Sequence, residues 1–260
     1  MSGADALAGA RMAVGTFTVW PVRVERVDRA VAGWAMCWAP VVGGLLGAVT
    51  GIVAVVGAWW WSDPLAALLA VGLGALLTRG LHLDGLADLA DGLGSGRPAE
   101  GALEVMRRSD IGPFGVLTLV VTVGAQVLAL AGLVEASPWA AVAGAVVAGA
   151  TGRLAVTLAC AGAPSARPDG LGSFVAGTVR PLAAAVCAAG VLAAALLGLA
   201  YSPGFAVACA VGAVAGLAAA GVLLYRAVRR LGGVTGDVLG ALVETAVTVV
   251  LLVTAAATRG

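Results

Sequence analysis

The chain has 260 residues, of which 61% are apolar and 11% charged, with a mean hydropathy of +1.03. A soluble globular domain carries about 45–50% apolar and about 25% charged residues, so this composition excludes a water-soluble globule and specifies an all-α, polytopic integral membrane protein. Fifteen arginines and no lysine stand against 14 acids, and the net charge of +1 excludes nucleic acid or another bulk polyanion as a partner.

An apolar segment from Ala4 to Trp20 carries Arg11 and stops at Pro21. With no basic region before its apolar stretch, it reads as an N-terminal interfacial helix rather than a cleaved signal. Uncharged runs then mark the spans, each needing about 20 residues to cross roughly 30 Å of hydrocarbon. They are Trp38–Trp60, a short one at Pro64–Thr78, then Pro113–Val134, Pro138–Gly162, Pro181–Ala200, Pro203–Tyr225 and Val238–Thr258, about seven transmembrane helices in all. From Pro181 to Tyr225 the chain runs 45 residues without a charge, too many for one helix, and Tyr201-Ser202-Pro203-Gly204 supplies the dividing turn. No linker interrupts the chain, which reads as a single membrane-embedded catalytic domain over residues 1–260. Cys37, Cys160, Cys187 and Cys209 are widely spaced in apolar sequence and read as small buried hydrophobes, not as disulfides or zinc ligands.

Arginine placement predicts the orientation. Arg11, Arg23, Arg26 and Arg29 precede the first span; Arg79, Arg97, Arg107 and Arg108 follow the second; Arg167 and Arg180, then Arg226, Arg229 and Arg230, lie in later loops on that side. The intervening turns Trp61–Asp63, Glu135–Ser137 and Tyr201–Ser202 contain none. This asymmetry puts the N-terminus and the long loops in the cytoplasm.

Those loops hold the chemistry. Leu81-His82-Leu83-Asp84-Gly85-Leu86-Ala87-Asp88-Leu89-Ala90-Asp91-Gly92 spaces three carboxylates i, i+4, i+7, on one face of a helix. Two such charges about 6 Å apart repel by roughly 3 kcal/mol at an effective dielectric near 20. A helix N-terminus returns only about 0.3–1 kcal/mol per carboxylate, so the face calls for a cation or a proton unless it is simply a solvated helix start. Oxygen-only ligands suit Mg²⁺ or Mn²⁺ and leave coordination positions for phosphate oxygens. His82, the single histidine, sits two residues before Asp84 and reads as a hydrogen-bonding group more readily than as a base. Met106-Arg107-Arg108-Ser109-Asp110 places two arginine forks and a hydroxyl against the next span, where they serve phosphate binding or positive-inside anchoring equally well.

Gly232-Gly233-Val234-Thr235-Gly236-Asp237 allows close backbone approach before the last span. Glu244, seven residues on, lies roughly 10 Å deeper on the same face, where a carboxylate is paired or functional. Arg153, similarly deep in its own span, is the natural partner, and a structural pair and a functional site stay open. Arg167-Pro168-Asp169-Gly170-Leu171-Gly172-Ser173-Phe174 adds a glycine-rich loop.

Together these blocks resemble the cobalamin synthase family, the adenosylcobinamide-GDP ribazoletransferases. The resemblance rests on His82 to Asp88 with Asp91-Gly92; Met106-Arg107 with Ser109 and Gly112; Arg153; Arg167-Pro168 with Gly170-Leu171-Gly172 and Phe174; and Gly232-Gly233 with Thr235-Gly236-Asp237, Gly240 and Glu244. It covers residues 80–250. One departure is Arg108 and Asp110, where members often show an acid before the serine and a base after it.

The resemblance implies a multi-pass, Mg²⁺-dependent enzyme of the bacterial inner membrane, surrounded by lipid and open to homo-oligomerisation. Such an enzyme joins adenosylcobinamide-GDP to α-ribazole, or to its 5′-phosphate, and releases GMP. On that reading Asp84, Asp88 and Asp91 are catalytic and hold Mg²⁺ together with Asp237, and Arg153 is catalytic. His82, Arg107, Ser109, Arg167, Gly170, Gly172, Gly233, Thr235 and Glu244 bind substrate, and Asp88 or Asp91 takes the acceptor's proton. Two rivals use similar residues: a metal-dependent membrane transferase acting on a lipid-linked or isoprenoid diphosphate, and an ion-coupled transporter with Arg153 and Glu244 in its pathway. Transporters place sites at the midplane, whereas the dense polar blocks here lie at the membrane edge.

Overall fold

Proline decides where most of the long helices begin. In the computed structural model, which describes residues 3–259, Pro64, Pro113, Pro138, Pro181 and Pro203 all occupy the first turn of a helix, where a missing N–H goes unnoticed. The order is α1 (Gly3–Phe17), α2 (Arg29–Gly57), α3 (Asp63–Leu77), α4 (Leu81–Gly94), α5 (Ala99–Val105), α6 (Pro113–Ala136), α7 (Pro138–Gly162), α8 (Leu171–Val175), α9 (Pro181–Ala194, prolonged by a 3₁₀ turn to Ala200), α10 (Pro203–Leu231) and α11 (Gly236–Ala256). Among the described residues there is no strand, only an isolated parallel bridge between Ser165 and Val234.

Six helices are long and apolar enough to cross a membrane: α2, α6, α7, α9 with its extension, α10 and α11. The seventh expected span is half of a bent pair. At 15 residues, α3 is only about 22 Å long, and α4 leaves it at 90°. Arg79 (φ 57°) and Gly80 (φ 68°) make the corner in the left-handed region. For arginine that backbone is uncommon, and its guanidinium is tied down by donating to the carbonyls of Gly15 and Thr16, both at 3.1 Å. The acid-bearing helix therefore turns across the end of the bundle instead of continuing along it.

Two boundaries and the seating of the N-terminal helix differ most from the sequence reading. α2 starts at Arg29 rather than Trp38 because Asp28 caps it, its carboxylate accepting the N–H groups of Ala30 and Val31 at 2.9 Å. α10 runs past Tyr225 to Leu231, carrying Arg226 and Arg229 on the added turns, until Gly232 (φ 87°) closes it. The N-terminal helix is docked rather than merely interfacial: Gly9 lets α1 lie against Trp34 of α2, and Ala13 and Phe17 are buried.

α7 is the hub, with 83% of its apolar window buried, against 22% for α9 and 28% for α10. It meets α2 backbone to backbone, since a Cβ on Gly43 would strike the Gly149 carbonyl and one on Gly47 the Ala145 carbonyl. Small residues replace the hydrophobic effect as the packing device where the solvent is lipid. The outer faces are hydrocarbon: Leu182, Leu76 and Leu128 are 77%, 72% and 68% exposed, more than a water-facing surface tolerates. Trp59, Trp60, Trp61, Trp139 and Tyr201 cluster at the turns opposite α4, the position of an interfacial aromatic belt. All four cysteines are free, with Cys160 and Cys209 buried.

Candidate active site at the α4 end of the bundle

The site is assembled where α4 crosses α11. A Cβ on Gly85 would lie 2.8 Å from the Asp237 Cα, and one on Gly240 would lie 3.2 Å from the His82 Cα. Glycine at both positions lets the helices touch, which brings Asp84 and Asp88 of α4 beside Asp237 at the start of α11. Thr235 caps α11, accepting from the Val238 N–H at 3.2 Å, while its hydroxyl donates to Asp237 Oδ2 at 3.1 Å and so aims that carboxylate. Burial first, then Asp84, Asp237 and Asp91, push the half-buried Asp88 carboxyl up to about 7, with Arg167 opposing. This is the repulsion that the i, i+4 spacing predicts.

Arg167 faces the acids from the loop after α7. Its Nη2 donates to the Leu103 carbonyl at 2.8 Å, and its Nε is buried without a partner. Burial and the neighbouring Arg107 hold the guanidinium below its ordinary value, against the attraction of Asp237, Asp169 and Asp88. Two arginines that repel each other beside an unpaired buried donor form an anion-seeking arrangement. A cleft of about 430 Å³ opens between Arg167, Gly170 and Gly172 on one side and Thr235 and Asp237 on the other.

The glycines of this cleft do different work. Gly170 has φ 91° with open space around it, so it shapes the loop. Gly172 packs on the backbone of Val234–Thr235, and Gly233 on that of Pro164–Ala166 beside the Ser165–Val234 bridge. Gly172 and Gly233 thus serve first as contact points that hold two loops together. Ser109 and Arg107 lie exposed in the α5–α6 connection.

Two of the expected catalytic residues have other hydrogen-bond partners. Asp91, read as a third metal ligand, is buried and caps α6 from outside: Oδ2 accepts the Gly112 N–H at 2.7 Å and Oδ1 the Gly115 N–H at 2.9 Å. Its position one further turn along α4 points it at the α6 terminus, so both oxygens are committed. Arg153, read as catalytic, lies nine residues before the end of α7, about 14 Å down its axis. Its Nη2 meets His82 Nδ1 at 3.4 Å, and its electrostatic neighbour is Glu244 rather than the edge acids.

Among the described residues, no ion pair within 4 Å joins Arg153 to Glu244. They line a pocket of about 660 Å³, including its mouth, with Gln126, Thr50 and Thr78. Gln126 Nε2 donates to Glu244 Oε2 at 2.8 Å and to Thr248 Oγ1 at 3.0 Å. Sequence reasoning misses Gln126, although the single side-chain amide of the chain, set within an apolar span, is a signal in itself. It also misses Phe17, whose ring stacks on His82 at 6.0 Å and 20°; nothing local marks that contact.

The donor set suits a divalent cation in part. Among the described residues no three His, Cys, Asp or Glu side chains converge closely enough to hold an ion by themselves. Asp84, Asp88 and Asp237 offer oxygens only, and Mg²⁺ is commonly held by one or two carboxylates with water and substrate phosphates completing the shell.

The family model for cobalamin-5-phosphate synthase matches residues 9–255. A protein of Frankia casuarinae named adenosylcobinamide-GDP ribazoletransferase is 44% identical over 262 residues, covering 95% of this chain and 94% of its own length. Proteins of the same name from Bradyrhizobium diazoefficiens and a Nocardioides species are 40% and 44% identical, over 98% and 95% of this chain and 96% and 97% of their own. No solved structure matches.

Proposed function

The chain belongs to the cobalamin-5-phosphate synthase family, and we propose that it joins adenosylcobinamide-GDP to α-ribazole, or to its 5′-phosphate, with release of GMP. One observation carries the reading: Arg167, whose Nε is buried and unpaired, faces Asp237 across one cleft, with Asp88 and Asp84 on the acidic side and Arg107 on the basic side close enough to act electrostatically. Phosphoryl transfer asks for positioning and charge neutralisation more than for covalent chemistry from the protein.

The cleft receives the diphosphate, with the Arg167 and Arg107 guanidinium groups on its oxygens. The ribazole 3′-hydroxyl attacks the phosphorus bonded to cobinamide. A new P–O bond forms, the bond to the bridging oxygen breaks, and GMP leaves with that electron pair. Asp88 takes the hydroxyl proton; Asp91, committed to α6, does not. Asp84 and Asp237, with Asp88, are the residues that would hold Mg²⁺, which when bound supplies charge neutralisation on the diphosphate. Thr235 keeps Asp237 aimed, and Gly85 and Gly240 keep α4 seated on α11.

The arginine-rich loops support a cytoplasmic site in the bacterial inner membrane, where nucleotide substrates reside. A reporter fused after Gly96 or Arg230 is expected to read cytoplasmic and one at Ser62 or Ser202 external; an external Gly96 overturns the orientation. The activity is tested by incubating purified protein with adenosylcobinamide-GDP, α-ribazole and Mg²⁺ and separating the products. GMP and a cobalamin in equal amounts support it, and neither forming sinks it.

A further inference from the structure

A second cleft opens beside the carboxylates and is not used by the chemistry above. Phe17 of α1, Met36 of α2, Val156 of α7, Val175 of α8 and Leu239 of α11 wall it, and Asp84 and Asp237 stand at its edge. Its volume is about 630 Å³ including the mouth. Five helices and the short α8 are needed to close it, so it arises from the tertiary fold rather than from one motif.

His82 also lines it and is only 3% exposed. Its Nδ1 faces Arg153 Nη2 at 3.4 Å. A guanidinium has donors and no acceptor, so Nδ1 is the accepting nitrogen and the ring proton sits on Nε2. That Nε2 is buried with no partner in the protein. An unpaired buried donor is the exception in folded proteins and asks for a ligand atom. The Phe17 ring, nearly parallel to the imidazole, fixes its plane.

We propose that this cleft receives the heteroaromatic base of the acceptor nucleoside, with His82 Nε2 donating to the base's unsubstituted ring nitrogen and the ribose directed toward Asp84 and Asp237. The inference rests on the ribazole-transfer reading above. An alkylated benzimidazole is flat and apolar, with one in-plane lone pair and no N–H of its own once it is ribosylated. Those are the complements of apolar walls and one donor. Guanine, by contrast, presents several donors and acceptors on its edge, which a cleft with one buried N–H would leave unpaired. Arg153 is then a positioning residue that sets the His82 tautomer from behind.

The test compares α-ribazole with its indole counterpart, in which that ring nitrogen is replaced by C–H, by equilibrium dialysis against the purified full chain. Wild type is expected to bind α-ribazole at least about 10-fold tighter, equivalent to about 1.4 kcal/mol. His82→Leu should bind the two alike, and His82→Gln, which retains an N–H, should keep a preference. Leu239→Trp, which fills the cleft, should weaken both nucleosides while leaving the dissociation constant of adenosylcobinamide-GDP within about twofold, because the donor's diphosphate sits elsewhere. If His82→Leu does not fold, the wild-type discrimination and Leu239→Trp still decide. Equal binding of the two nucleosides by wild type, or unchanged binding by Leu239→Trp, overturns the proposal. Dialysis needs no turnover, so a chain that makes cobalamin without discriminating loses the cleft and keeps the function. A chain that discriminates yet releases no GMP loses the function and keeps the cleft.

Discussion

The edge cluster and the deep cluster use the same residue types and treat charge in opposite ways. At the α4 end, Asp84, Asp88 and Asp237 crowd one another, and Arg167 keeps a donor unpaired. Ten or more ångströms deeper, Glu244 is hydrogen-bonded by Gln126, and Arg153 leans on His82 without an ion pair to Glu244. Water and loops are available at the edge, so uncompensated charge can persist there until a ligand arrives. In lipid, charge that lacks a partner is too costly to keep, and polar neighbours on other helices are recruited. Repulsion among like charges therefore sets the edge cluster apart, and hydrogen bonds from other helices set the deep one apart, although Arg153 Nε, like Arg167 Nε, is buried without a partner.

The contrast breaks most easily at the edge. Asp84→Asn or Asp237→Asn, and separately EDTA, should lower kcat at least about 100-fold, with Mg²⁺ restoring the chelated wild type. Asp84 is exposed, so its substitution should leave thermal stability within about 0.5 kcal/mol. A double Asn variant with full activity would remove the metal reading. Asp91→Ala should do the reverse. It strips one buried and one part-buried N–H group of their acceptor, the buried one worth about 1–3 kcal/mol when left unpaired. The melting temperature in detergent should fall by several degrees while turnover of the protein that remains folded falls far less. Loss of activity without loss of stability would return Asp91 to the site.

Gly85→Val sharpens the comparison at an intermediate size. Its Cβ would fall 2.8 Å from the Asp237 backbone, and overpacking of this kind costs about 1–3 kcal/mol. Because it pushes α4 away from α11, the Mg²⁺ concentration needed for half activity should rise as stability falls. An unchanged Mg²⁺ requirement would mean that the crossing does not set the metal site.

What was legible in the sequence follows the range of the interactions. Asp84 and Asp88 could be read as a pair because i, i+4 spacing is local to one helix. The spans could be read because hydropathy and first-turn prolines are local too. Asp91 could not, since i+7 keeps it on the same stripe and only the α6 terminus, 21 residues on, decides what its oxygens meet. Gly172 and Gly233 read as ligand contacts because glycine permits close approach, but the sequence does not say whether the approaching group is a substrate or another loop. The α3–α4 corner was hidden because it depends on Arg79 adopting a left-handed backbone, held there by carbonyls more than 60 residues away. Arg153 and Glu244 were correctly matched in depth, yet depth alone does not give contact.

That last point yields the smallest expected effect. If Arg153 and Glu244 were a buried ion pair, breaking it from one side would cost about 3–5 kcal/mol, and removing both partners would recover much of the loss. The geometry instead gives each its own neutral partner, Gln126 for Glu244 and His82 for Arg153. In a cycle of Arg153→Met, Glu244→Gln and the double variant, the stability changes should therefore add, with an interaction term below about 1 kcal/mol. Glu244→Gln should be nearly neutral, because an amide still accepts from Gln126 through its carbonyl oxygen. Arg153→Met should act through His82, raising the KM for the acceptor nucleoside more than that for the nucleotide donor, whether or not Glu244 is present. A coupling of about 2 kcal/mol or more, with stability restored in the double variant, would show that the two charges hold each other across the cavity and that the deep cluster is a pair after all.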